Sequence, residues 1–182
     1  MPDIKDTISN KQYRIKNPSA CNVINSAYSL SQKTAYIICA PRDCGKTNTV
    51  CYIAQELRNY YGKRQVTTVL NETLQKEILH VAMIDGDVNK CIGFSSKGDE
   101  PENTLNSALS LCLSYSKIIV IAVRYEKKGA KAGMVSDVSN LCQSFGYSVQ
   151  NIPLSKLPVV PANGVHLSEA NQVISGIKQI IP

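Results

Sequence analysis

The sequence predicts an α/β fold, a three-layer α/β/α sandwich around a mostly parallel sheet with one β-hairpin, and three observations carry the prediction. Apolar runs at 34–40 and 117–125 have the length of buried strands and are too short for buried helices. Segments of helical period follow both, at 46–60 and 133–145. Strand and helix in alternation are what parallel strands joined by crossover helices require.

Each element has its own warrant. Residues 1–33 form a polar arm, and within it PSACNVINSAYSL puts Val23, Ile24, Ala27 and Tyr28 on one helical face behind Pro18. A helix laid on the domain is expected there, with the domain proper spanning 34–182. TAYIICA (34–40), closed by Pro41, reads as a buried parallel strand. The helix from Lys46 to Tyr60 carries Val50, Ile53, Ala54 and Leu57 at core spacing, with Gly62 as its stop signal. HVAMI (80–84) and KCIGF (90–94) flank Asp85-Gly86-Asp87 and predict the hairpin. A helix at 103–115 precedes KIIVIAVRY (117–125), the strongest buried-strand signal in the chain. After the helix at 133–145 come a strand from Tyr147 to Ile152, a loop through Pro153, Pro158 and Pro161, and a last helix from Ser168 to Ile181. Ser168 is its expected N-cap, and Val173, Ile177 and Ile180 its buried stripe.

Composition narrows the class. The 182 residues suffice for one domain with a sizeable core and no need of a disulfide or metal staple. Hydrophobic residues at 43% against 19% charged exclude a disordered chain. With Trp absent and two Phe, the core must rest on Ile, Leu, Val, Ala, Cys and Tyr. A net charge of +6 favours anions and is too mild for a nucleic-acid binder. The seven cysteines are scattered, odd in number and without a Cys-x-x-Cys pair, which fits a reducing compartment. His80 and His166 stand apart with no clustered ligands, so no zinc site is expected. The N-terminal residues have no apolar core of a secretory signal, and IIVIAV (118–123) is too short to span a bilayer. A cytoplasmic protein, with no membrane partner, is expected.

The chemistry concentrates in Ala40-Pro41-Arg42-Asp43-Cys44-Gly45-Lys46-Thr47, of the form [Ala or Gly]-x-x-x-x-Gly-Lys-[Ser or Thr], placed between a strand and a helix. Backbone N–H groups from Asp43 to Thr47 can converge on a phosphate, helped by the positive end of the helix. Gly45 lets the backbone approach, Lys46 reaches the terminal phosphates, and the Thr47 hydroxyl can ligate Mg²⁺. Arg42, Asp43, Cys44 and Asn48 complete the candidate binding set, although Arg42 and Asp43 also read as ordinary solvated loop residues. Cys44, among oriented N–H groups, is a candidate for a lowered thiol pKa and sensitivity to oxidation, or else simply fills a variable slot.

Nucleotide chemistry also needs a carboxylate at a neighbouring strand end, for the metal. VAMID (81–85) has the Walker B shape, but an acid in a hairpin turn would point away from the loop. Asp99, after the strand that ends in Ser95 and Ser96, is the preferred candidate, since parallel sheets bind ligands beyond strand C-termini. The two serines are expected to satisfy the backbone at the strand end. Arg124 opens RYEKKGAKAG (124–133), a basic segment that either closes over a nucleotide, with Arg124 neutralising transferred charge, or is a solvated loop.

The Ala40–Thr47 motif in its strand and helix resembles the P-loop NTPase superfamily. The order of this motif, then Ile-Gly-Phe-Ser-Ser-Lys-Gly-Asp, then an apolar strand ending in Arg124, is more loosely similar to small bacterial P-loop ATP-binding proteins. The resemblance covers about 34–130 and implies ATP or another NTP bound with Mg²⁺ by Gly45, Lys46 and Thr47, with Asp99 and Arg124 near the phosphates. It departs from relatives with better-defined motifs. Asn89-Lys90 is followed by Cys91-Ile92 rather than a guanine-reading acid, and Pro41 occupies the slot of the second lysine of partition ATPases. Three functions follow as expectations. Binding with hydrolysis leads, in which Lys46, Asp99 and Arg124 act in catalysis and Thr47 with Asp99 holds the metal. A small-molecule or nucleotide kinase is the second. The third is a nucleotide-dependent regulatory module with a protein partner and little turnover.

Overall fold

In the computed structural model, which describes residues 3–5, 12–14, 33–62, 64, 66–74, 77–114, 116–126, 133–154 and 164–182, eight strands and four α-helices follow one another. They are β1 (Asp3–Lys5), β2 (Gln12–Arg14), β3 (Lys33–Ala40), α1 (Lys46–Tyr61), β4 (Val66–Leu74), β5 (Glu77–Ile84), β6 (Cys91–Ser95), α2 (Pro101–Leu113), β7 (Ile118–Arg124), α3 (Met134–Ser144), β8 (Tyr147–Pro153) and α4 (Leu167–Ile180). β1 and β2 pair with each other, antiparallel, as a separate two-stranded sheet among the described residues. The other strands form one six-stranded sheet in the order β4-β5-β6-β7-β3-β8.

Residue type explains this order. β3 and β7 are apolar on both faces, as a strand covered by helices on both sides must be, and they pair in parallel at the middle of the sheet. β8 and β6 flank them, also parallel. β5 runs antiparallel to β6 through the hairpin predicted around Asp85-Gly86-Asp87, and β4 adds a further antiparallel strand at the edge. The sheet is thus mostly parallel, with an antiparallel margin.

Alternation along β3 divides the core in two. Ala35 and Ile37 join Leu105, Leu109, Val138 and Leu141 beneath α2 and α3. Tyr36 and Ile38 join Ile53, Leu57, Val173 and Ile177 beneath α1 and α4. Helices therefore cover both faces, around a core of aliphatic residues whose side chains contribute about 1.5–3 kcal/mol each when fully buried.

Several expectations need correction. β4 was not anticipated: VTTVLNETL mixes Thr, Asn and Glu into its run, which an edge strand tolerates and an apolar-run criterion passes over. The β1–β2 pair was not anticipated either. α2 starts at Pro101, two positions ahead of the expected boundary, because proline suits a first helical turn. Gly62 ends α1 in a right-handed conformation (φ −64°), so its freedom of φ is not what stops the helix. Ser168 is not an N-cap: α4 already begins at Leu167, and the capping position is His166, whose side chain is used elsewhere. The amphipathic segment at 18–30, positions 127–132 with the three lysines of the basic segment, and most of the proline loop (155–163) lie outside the described residues. Among the described residues no helix is long and apolar enough to cross a membrane.

Candidate functional site

Three chain segments meet beyond the C-terminal ends of the parallel strands, the edge at which open α/β sheets receive ligands. Ala40, the last residue of β3, is in register with Arg124, the last of β7. Beyond that register, Tyr125 N–H donates to Ala40 O (2.8 Å) and Arg124 N–H to Gly98 O (2.9 Å). The loop after β3, the exit of β7 and the loop after β6 are thereby tied together by backbone hydrogen bonds.

The first of these loops bends sharply. Asp43 (φ 57°) and Gly45 (φ 77°) are both left-handed, and Gly45 is the N-cap of α1. No side chain caps α1 and no acid lies in its first turn, whereas α2, α3 and α4 carry Glu102, Asp137 and Glu169 there. The positive end of α1 has no negative group of its own helix against it.

What stands there is a buried cation. Lys46 is 4% exposed. Its Nζ donates to Pro41 O at 2.9 Å and lies 3.7 Å from Asp99 Oδ1, beyond hydrogen-bond distance. Burial lowers the Lys46 pKa, against the opposing pull of Asp99 and Cys44 and in concert with the charge of Arg124. An ammonium has three N–H groups and is seldom buried unless fully paired, so the position is costly without an anion.

The remaining candidates take different places. Asp99 is half-exposed at the mouth of the loop. Asp85 sits in the hairpin turn, where Arg64 and Lys90 hold it, at the end of β6 opposite to Asp99. The hydrogen bond from Arg64, then that from Lys90, keeps its carboxyl below the usual carboxylate range. Ser96 Oγ accepts from Ile78 N–H (2.8 Å) and Ser95 Oγ from Lys97 N–H (3.3 Å), so both serines satisfy backbone. Arg124 is mostly buried and pairs with Glu126, while its Nε is buried with no partner among the described residues. Arg42 and Asp43 are exposed and pair with each other at 3.5 Å. Cys44 is buried, its thiol donating to Arg42 O at 3.5 Å. Thr47 is half-buried in the first turn of α1 and Asn48 exposed beside it.

His166 and Gly164 belong to the same site: residues 153–166 read in the sequence as a segment where a base-contacting loop could run, and the contacts with the phosphate loop itself are what that reading lacks. His166 Nε2–H donates to Cys44 O (2.9 Å), and its backbone N–H donates to Thr49 Oγ1 (3.2 Å). Gly45 and Gly164 are in such close approach that a Cβ on Gly45 would lie 2.1 Å from Gly164 O. The segment entering α4 thus clasps the loop. Its only trace in the sequence is Asn163-Gly164, and the contact joins residues 122 positions apart, beyond any local pattern.

Comparison of the chain with protein-family models, with curated proteins and with solved structures finds no match.

Proposed function

We propose that this chain is a P-loop protein that binds a nucleoside triphosphate, ATP in the first instance, together with Mg²⁺, and hydrolyses it. The observation that carries the reading is Lys46: a buried, incompletely paired ammonium at an uncapped helix N-terminus, on a left-handed loop at the C-terminal edge of a parallel sheet. A polyphosphate supplies the negative charge that this arrangement lacks. In the bound state Lys46 exchanges its Pro41 contact for phosphate oxygens, and loop N–H groups cradle the same anion. Arg124, tied by its backbone to the loop that carries Asp99, faces charge developing on the terminal phosphoryl group.

Mg²⁺ commonly takes only one or two protein oxygens, with phosphate and water completing its shell. The Thr47 hydroxyl and the Asp99 carboxylate are of the right chemistry to supply them. The metal would neutralise phosphate charge and order attacking water. A solvated, reducing compartment such as the cytoplasm suits both the ligand and the free thiols.

Calorimetric titration of MgATP, with MgGTP for comparison, into the wild type and Lys46→Ala tests the reading. Micromolar binding by the wild type, weakened on the order of a hundredfold by the substitution, is expected from the loss of charge-assisted hydrogen bonds. No binding by the folded wild type would refute it. Phosphate release measured on the same samples separates hydrolysis from binding alone.

A further inference from the structure

A second concave feature lies away from the phosphate loop. On the face of the sheet that carries α1 and α4, those helices cover β3, β7 and β8, and no further helix among the described residues lies over β4 and β5. A cavity of about 460 Å³ results, with α1 as its wall and β4, β5 and β6 as its floor. That volume is within the range of small-molecule sites, about 300–1,000 Å³.

The lining has a definite chemistry. Ile78, His80, Ala82 and Ile84 alternate along β5 and so share the face that forms the floor, beside Ile92 and Phe94 of β6. Most of this surface is apolar. His80 interrupts it, with a buried Nε2 that has no hydrogen-bond partner among the described residues. Burial, then the charge of Arg58, lowers the His80 pKa, so the ring is neutral at neutral pH and offers one donor and one acceptor. The charged lining side chains are Arg58 and Arg64, and no acid joins them. Arg64 is engaged by Asp85 and by Pro182 O, whereas Arg58 is exposed on α1 and makes no ion pair among the described residues.

We propose that this cavity binds a small amphiphilic carboxylate, its apolar body against the β5–β6 floor and its anionic group at Arg58, with His80 meeting a polar atom within. Charge complementarity singles out this occupant: an apolar chamber with a cationic rim and no carboxylate of its own discriminates against neutral and cationic ligands. The site is independent of the nucleotide reading, because its lining shares no residue with the loop from Ala40 to Lys46.

The test uses the full-length protein and the fluorescent anion anilinonaphthalene sulfonate as reporter, displaced by decanoate or by decanol, its uncharged counterpart of equal chain length. Decanoate is expected to displace the dye at least about tenfold more tightly than decanol, the worth of one charge-assisted contact. Arg58→Gln should abolish that preference while leaving decanol unchanged, and Ala82→Phe, which fills the floor, should remove both ligands. Thermal unfolding checks that each variant is folded, and Arg58→Gln, at an exposed helical position, remains decisive if Ala82→Phe is not. Absence of dye binding by the folded wild type, equal affinity for decanoate and decanol, or an unaltered preference in Arg58→Gln would each overturn the proposal. Titration of MgATP into Arg58→Gln should match the wild type, so failure here and failure of the nucleotide reading are told apart.

Discussion

The turn after β5 and the loop after β3 use nearly the same materials to opposite ends. In each, an aspartate adopts a left-handed conformation (Asp43, φ 57°; Asp85, φ 56°), a glycine with positive φ follows within two residues, and a lysine stands a few positions on. At the hairpin the charges are closed on themselves: Asp85 receives both Arg64 and Lys90 near the surface. At the loop the lysine is buried, touches one carbonyl, and has a carboxylate only at 3.7 Å. A turn that satisfies its own charges is a structural device. One that buries a cation without satisfying it carries a cost in stability, which the proposed anion would relieve.

The widest separation between the two regions is expected in nucleotide affinity and stability measured together. Lys46→Met should lose nucleotide on the order of a hundredfold, yet unfold at or above the wild-type temperature, because it removes a poorly paired buried charge. The sign follows from the lowered folded pKa of Lys46, which means that folding disfavours its charged form. That penalty applies below the folded value and fades as pH rises toward the ordinary lysine value of 10.5, so the thermal advantage of the variant should shrink in alkali. Asp85→Ala should show the reverse pattern, with unchanged affinity and a lower midpoint. If Lys46→Met were instead destabilised and still bound nucleotide, the contrast between the regions would collapse.

Next in size is the pair of glycines. Gly45→Ala combines a left-handed backbone with a Cβ only 2.1 Å from Gly164 O, and the obstacle is backbone. Roughly 2–4 kcal/mol of stability should be lost, with nucleotide binding impaired because the 164–166 segment is displaced. Gly86→Ala meets no atom within 4 Å, so only its φ of 66° is at issue. About 1 kcal/mol is expected there, with affinity intact. Denaturant unfolding of both variants supplies the comparison, and equal losses would mean that the clasp by Gly164 and His166 does not tension the loop.

How much of this was legible beforehand follows the range of the interactions. β3, the loop and α1 form one continuous stretch whose apolar run, glycine and lysine are local signals, and the hairpin announced itself through Asp85-Gly86. β4 escaped because Asn71 and Glu72 are acceptable on an edge strand and look like loop residues in a string. In the site, Lys46, Asp99 and Arg124 were named from spacing and strand ends. Their distances were not deducible, since the position of Asp99 depends on the strand order that sets β7 between β3 and β6. His166 and Glu126 were missed for different reasons. The histidine acts across 122 positions, and the glutamate was hidden within a segment read for its positive charge.

The smallest effect concerns the hairpin alone. Because the Asp85 carboxyl is held below its usual range, first by the Arg64 hydrogen bond and then by Lys90, the folded state binds its proton less readily than the unfolded chain. Its contribution is therefore complete above the ordinary carboxylate value, about pH 4, and is lost as pH falls from there through the depressed folded value. The difference in thermal midpoint between wild type and Asp85→Asn should be constant from neutral pH to about pH 5 and close in more acid solution. Partial exposure of all three partners keeps that difference small. Closure of the gap in Asp85→Asn would place an acid-sensitive charge at the hairpin, whereas a gap that persisted well below about pH 4 would mean that Arg64 and Lys90 do not hold the carboxylate there.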